Sequence, residues 1–314
     1  MKPPLAYIVA ASDAGLPLID ALARKFPSYS RDAWFAAASD GRLLADGARA
    51  DLSAPAHPAA RITFHPPAAA EPAVDDSYKI VFEDEHIAVI DKPGNLPCHP
   101  AGRYYEHSLS RMLAARDGFA QAFMVNRLDR ETSGLVLAAK TPDAASRCGL
   151  DMMAGRFAKS YLVVVAGCWT LPHEHTATGK IRLERGETVR KKRVFVPDPA
   201  TADGQLCTTV FRLVKTNAAE SLSMLEAEPI TGRPHQIRAT LKALDYPVAG
   251  DKLYGPDETI YARLCADAMT PADQDALRHL PRQCLHSHRL TFPHPVSRTP
   301  LAFTAPLPPD FPFF

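Results

Sequence analysis

The chain has 314 residues, 46% of them hydrophobic, with 36 Lys and Arg against 35 Asp and Glu and a formal net charge of +1. That composition excludes a disordered chain, and it excludes a protein that holds polyanions through overall charge, so any nucleic-acid footprint has to be local. The length suggests about two domains. The apolar run in "MKPPLAYIVAASDAG" is too short for a signal peptide, and nothing reaches membrane-spanning length, so a soluble cytoplasmic protein with no membrane partner is expected. Six scattered cysteines without a CxxC pair read as free thiols rather than as a disulfide or zinc framework.

In chain order, residues 16–40 predict two short helices. Leu18, Leu22 and Phe26 fall four apart and form one apolar stripe, while Ser30 is placed to cap "RDAWFAAAS" and Gly41 to stop it. "RLLADG" and "ARITFHP" then read as strands, which gives a compact α/β module over 1–64. Residues 65–77, "HPPAAAEPAVDDS", carry the Pro/Ala-rich signature of a linker. From 78 to 314 strand-like runs dominate: two in "YKIVFEDEHIAVIDKP", then "LVLAAKT", "SYLVVVAG", "QLCTTVFRLVKT" and "SLSMLEAEPI". Helical periods fall at 108–116, 142–154 and 235–244. Strands outnumber helices without alternating with them, so the fold class is α+β with a mainly antiparallel or mixed sheet. A doubly wound nucleotide fold is disfavoured, because no GxGxxG follows a strand and no Gly-rich GK[ST] loop is present.

"MVNRLDRETSG", 124–134, places Asp129 between Arg127 and Arg130 at a turn between apolar runs. Flanking guanidinium groups favour the ionised carboxylate, and Thr132, Ser133 and Gly134 can fix the turn. The plainer alternative is a solvated surface ion pair. In "PITGRPHQIRATL" Arg238 lies in the first turns of a helix, sharing a face with His235, and its fork could pair with a carboxylate from elsewhere; a solvated helix arginine is the alternative. Tyr161 opens the apolar strand of "AKSYLVVVAG", either as core packing or as a flat face for a planar ligand. The basic run "KIRLERGETVRKKR", 180–193, is either a solvated hairpin or a phosphate contact. His286 and His288 share a strand without a third ligand, and "HEH" at 173–175 reads as loop, so no metal site is expected.

The order of these segments carries more than any one of them. "VFEDEHIAVIDKPGNLPCHP", "NRLDRETSGLVLAAKT", "KSYLVVVAG", "PITGRPHQIRATLKALDYPVAGDKLYG" and "CLHSHRLTFPHPVSRTPLAFTAPLPPDF" together resemble the RluA-type pseudouridine synthases over about 78–310. "SRDAWFAAASDGRLLADG" resembles, more loosely, a small RNA-binding domain shared with a ribosomal small-subunit protein. The resemblance implies isomerisation of uridine to pseudouridine in rRNA or tRNA without nucleotide cofactor or metal, and a monomer is the default expectation. It implies Asp129 as the catalytic carboxylate, Arg238 as its partner and Tyr161 as the stacking phenol. Asn126, Arg127, Arg130, Arg233, His235 and Leu285 are the accompanying substrate or RNA contacts; from its place two residues before Asp129, Arg127 is expected either to fill the space a flipped uridine vacates or to hold a phosphate. "HPAGRYYEHSL", 99–109, is similar to members acting on tRNA. The chain departs from the family pattern at Asn126, where His is usual, and at Ala239–Thr240, where Val-His is common. Two rival readings remain: a non-catalytic RNA-binding protein on the same fold, and a glycosidase using Glu131 beside Asp129.

Overall fold

The computed structural model describes residues 4–26, 29–66, 71–184, 192–197, 200 and 203–312. The chain divides into two compact units, Met1–Glu71 and Pro72–Phe314.

In the smaller unit, β1 (Leu5–Ile8) precedes α1 (Leu18–Lys25) and α2 (Arg31–Ser39), followed by β2 (Leu43–Ala45), β3 (Ala48–Arg49) and β4 (Arg61–Phe64). The strands form an antiparallel sheet in the order β1-β4-β2-β3. Ser30 caps α2 by accepting a hydrogen bond from the Ala33 amide at 3.1 Å, which satisfies one of the orphan donors of the first turn. The predicted stripe faces inward: Leu18 and Leu22 are buried and Phe26 packs beside them against Trp34 and Phe64. β1 escaped the sequence reading because "LAYI" is too short to alternate and is exposed along most of its length.

The larger unit contains β5 (Lys79–Glu83), β6 (Ile87–Lys92), α3 (Leu109–Arg116), β7 (Phe123–Met124), β8 (Ser133–Ala139), α4 (Pro142–Met153), β9 (Ala158–Ala166), β10 (Glu174–Leu183), β11 (Arg193–Val196), β12 (Gln205–Asn217), β13 (Leu222–Pro229), α5 (Gln236–Ala243), α6 (Thr259–Cys265), α7 (Pro271–Ala276), β14 (Leu285–Pro293) and β15 (Pro300–Thr304). Among the described residues these strands build an 11-stranded mixed sheet in the order β11-β10-β12-β13-β9-β14-β8-β6-β5, with β15 on β14 and β7 on β8. The pairs are antiparallel except β14 with β8.

β8 is buried at all seven positions, which explains its near-continuous apolar sequence. Leu135, Leu137 and Ala139 pack with Ala144 and Cys148 of α4, whereas Val136 and Ala138 pack with Leu109, Met112 and Leu113 of α3. A strand covered on both faces is a rigid base from which a loop can present side chains. At the C-terminal end of α4, Asp151 is buried and accepts from Arg156 at 2.7 Å and from Arg298 at 2.6 and 2.8 Å.

Three expectations need correction or limits. Glu174 and His175 are not in a loop but begin β10, pairing with Arg212 and Phe211; the covered positions His175, Ala177 and Gly179 are polar or small, so the strand shows little apolar alternation. Residues 72–77, read as part of the linker, belong to the larger unit: Val74 packs on its core, and the Pro72 carbonyl lies 2.7 Å from His107 Nδ1. The basic run 180–193 starts in β10 and ends in β11, while 185–191 lie outside the described residues.

Candidate active site

The segment joining β7 to β8 is held from below. Lys92, fully buried at the end of β6, donates to the carbonyls of Pro93 at 2.8 Å and Arg130 at 3.2 Å, and burial pushes its pKa down to about 8. The Leu128 amide donates to Cys98 Sγ at 3.3 Å, and the Thr132 amide to the Asp129 carbonyl at 3.1 Å, closing the turn. Gly134 then has φ +103°, and a Cβ there would lie 2.2 Å from the Ser287 carbonyl oxygen of β14. Only glycine permits the parallel β8–β14 contact that brings the turn beside β14.

Asp129 stands on this turn with its carboxylate 32% exposed. Arg238 reaches it from the first turn of α5, donating from Nη1 to Asp129 Oδ2 at 2.7 Å. The remaining edge of the guanidinium is locked by Asp251, which accepts from Nε at 2.6 Å and Nη2 at 2.8 Å and also receives the amides of Leu253 and Tyr254. Asp251 is fully buried and Arg238 nearly so, with the Tyr254 ring 4.9 Å from the guanidinium carbon. One cation therefore serves two carboxylates, one sealed and one open. Burial alone would raise the Asp129 carboxyl, but the charge of Arg238 and its hydrogen bond lead the groups that outweigh it and hold the carboxyl below the ordinary carboxylate value.

Tyr161 lies on β9, between Ala227 of β13 and Ser287 of β14, in the same core cluster as Leu128 and Ile237. Burial pushes its phenol up to about 12, with the Asp129 charge adding to the rise, so it keeps its proton at neutral pH. His235 precedes α5 with φ +57°, in the left-handed region, and its ring Nε2 lies 3.7 Å from Asp129 Oδ1. Such a backbone state in a non-glycine residue is costly and clusters at functional sites.

The structure thus brings Asp129, Arg238 and His235 together, and Tyr161 belongs to the buried cluster that holds Leu128 and Ile237, the chain neighbours of Asp129 and Arg238. The other named positions diverge. Arg127 is exposed, with Nη1 3.5 Å from His99 Nε2. Arg130 turns away to Tyr104 and Glu131, and Arg233 is tied to the Leu206 carbonyl at 3.0 Å. Asn126, expected at the substrate, is buried with its amide spent on β8: Oδ1 accepts from the Leu137 amide at 2.7 Å and Nδ2 donates to the Leu135 carbonyl at 3.3 Å. Leu285 is likewise internal, packed in the core cluster that contains Tyr161. Glu131 is bound at both oxygens by Lys252 at 3.1 Å and is not a second acid facing Asp129. His286 Nδ1 lies 2.9 Å from Ser133 Oγ and His288 Nδ1 lies 2.8 Å from the Ala305 carbonyl; among the described residues no group of three or more ligating side chains could hold a metal.

Asp251, Tyr254 and Lys92 were missed. The signal for the first two was an acid and a phenol embedded in the apolar run "PVAGDKLYG", and for Lys92 a lysine ending the apolar "HIAVIDK".

Comparison with known proteins bears on this geometry. A family model described as RNA pseudouridylate synthase matches residues 86–243, which include every member of the cluster except Asp251 and Tyr254. The chain is 31% identical to a ribosomal large subunit pseudouridine synthase D of Pseudomonas aeruginosa, across 92% of this chain and 88% of that one. It is 30% identical to the mitochondrial tRNA pseudouridine(32) synthase of Saccharomyces cerevisiae, across 77% of this chain and 51% of that one. Among solved structures, human RNA pseudouridylate synthase domain containing 1 superposes with a TM-score of 0.58 at 21% identity, covering 76% of this chain and 86% of that one.

Proposed function

The chain belongs to the RNA pseudouridylate synthase family and isomerises uridine to pseudouridine in RNA, and we propose that Asp129 carries that reaction. The observation behind this reading is the open carboxylate of Asp129 gripped by a buried guanidinium that is itself fixed by Asp251. An acid that has to act on a sugar while ionised needs a counter-charge that survives the expulsion of water, and Arg238 cannot lose its proton.

The reaction breaks the bond between ring nitrogen 1 and the anomeric carbon, turns the base, and joins ring carbon 5 to that carbon. The carbon-5 proton leaves and nitrogen 1 ends protonated. All atoms stay with the substrate or exchange with water, so the chemistry asks for positioned charge rather than redox equivalents. In our reading Asp129 engages the target nucleotide, Arg238 holds it ionised, and Tyr161 offers a flat buried face to the uracil. The Tyr161 hydroxyl, kept protonated by burial, is suited to relaying the carbon-5 proton rather than to binding it as a free base. Arg127, exposed two residues before Asp129, is placed to occupy the stack that a flipped uridine leaves. The Pseudomonas match spans a larger share of the chain than the larger unit holds, so it reaches into the unit Met1–Glu71, and its name supports rRNA as substrate.

Tritium release from carbon-5-labelled uridine RNA tests the proposal. Wild type is expected to release label and Asp129→Asn is not. Failure of wild type on bulk rRNA and tRNA would favour a binding protein, and free uracil among the products would mean hydrolysis.

A further inference from the structure

His235 is wired in a way the reaction outlined above does not use. The Arg193 backbone amide donates to the Tyr254 hydroxyl oxygen at 2.8 Å, and that hydroxyl lies 2.9 Å from His235 Nδ1. Burial raises the Tyr254 phenol above its ordinary value, so it retains its proton. The amide takes one acceptor position, which leaves the hydroxyl hydrogen free to point at Nδ1, with Nδ1 accepting. The single ring proton of neutral His235 is then on Nε2, the atom facing Asp129 Oδ1. Burial favours this neutral form: it lowers the His235 pKa against the opposing charges of Asp129 and Asp251, while Arg238 and Arg193 reinforce it.

Nε2 and Asp129 Oδ1 are 3.7 Å apart, too far for a direct hydrogen bond. Arg238 occupies the other carboxylate oxygen. A donor and an acceptor at that separation can both reach one intervening hydroxyl oxygen at ordinary hydrogen-bond lengths, the hydroxyl accepting from Nε2–H and donating to Oδ1. On a nucleotide whose sugar is presented to Asp129, the hydroxyl next to the anomeric carbon is the 2′-hydroxyl. We propose that His235 and Asp129 together grip the 2′-hydroxyl of the target ribose, that His235 is the residue by which this site distinguishes ribose from deoxyribose, and that Tyr254 positions it by fixing its tautomer. This rests on the reading that Asp129 faces the sugar, which the tritium experiment tests separately. The 2′-hydroxyl is the group by which any protein can tell RNA from DNA at one nucleotide.

The experiment compares single-turnover pseudouridine formation on a target RNA and on the same RNA with one 2′-deoxy substitution at the reacting uridine. His235→Gly removes the ring and suits the left-handed backbone, and His235→Gln restores an amide donor. Wild type should favour the ribose target. His235→Gly should lower that ratio by roughly tenfold, the worth of one hydrogen bond, and His235→Gln should recover much of it. Nitrogen-15 spectra of the histidine ring should show Nε2 protonated in wild type and a mixture of tautomers in Tyr254→Phe. The proposal is overturned by a wild type that does not discriminate or by an unchanged ratio in His235→Gly, including no reaction of the deoxy target in either protein. A proton on Nδ1 in wild type also overturns it. Unfolding transitions establish that each variant is folded.

Discussion

Two carboxylate–guanidinium clusters in the larger unit are built as opposites. At Asp151 the acid is buried while its two arginines, Arg156 and Arg298, are about half exposed. At the candidate active site the cation is buried, one of its acids is sealed and the other is open. In the first arrangement the two guanidinium groups left behind by loss of the acid return to water, and the cluster latches α4 to the turn after β14. In the second, the buried cation has no recourse to water, so its field is directed at the one carboxylate that can meet a ligand. An ion pair marks a site less by its presence than by which partner is open.

The sharpest way to break this contrast is Asp129→Asn, which should lower turnover by roughly 10³–10⁴-fold with little change in unfolding free energy, as tritium release and urea denaturation would show. Next, Asp251→Ala leaves Arg238 with one carboxylate in a buried setting and should destabilise the fold by about 3–5 kcal/mol, read by urea denaturation; equal stability to wild type would mean the sealed acid is dispensable. Arg127→Ala should slow reaction on folded RNA by a few-fold, about 1 kcal/mol, and spare an unstructured substrate; equal loss on both would remove its role in flipping. The smallest effect on turnover belongs to Asp151→Ala, which should leave turnover unchanged while lowering stability at neutral pH by about 2 kcal/mol, the worth of its depressed carboxyl.

The Asp151 cluster also has a pH signature. Hydrogen bonds from Arg298, and then Arg156, hold Asp151 down at about 2, below its unfolded value of 3.8. Its contribution is complete above that unfolded value and is lost as pH falls through about 2. Acid titration of wild type against Asp151→Ala should therefore converge at the low end and separate above about pH 4.

What could be read in advance follows sequence distance. The loop of Asp129 was legible because a charged turn between two apolar runs is a local pattern, and the short helix of Arg238 because its period is local too. Asn126 was misjudged since its inward amide depends on β8 closing against β7, and Asp251 went unnoticed because it meets Arg238 across a turn with no periodicity. β10 was hidden for a related reason: the covered positions Ala177 and Gly179 carry almost no apolar bulk, and the neighbours that cover them, β11 and β12, come later in the chain.

Gly134 has a consequence for how the protein tolerates change in length. With the Ser287 backbone pressed against its Cα, neither Ser133 nor Leu135 can take its place, so β8 cannot slip by one residue against β14. An inserted or deleted residue between Met124 and Gly134 has nowhere to be absorbed but the turn itself, and it arrives at Asp129 as displacement.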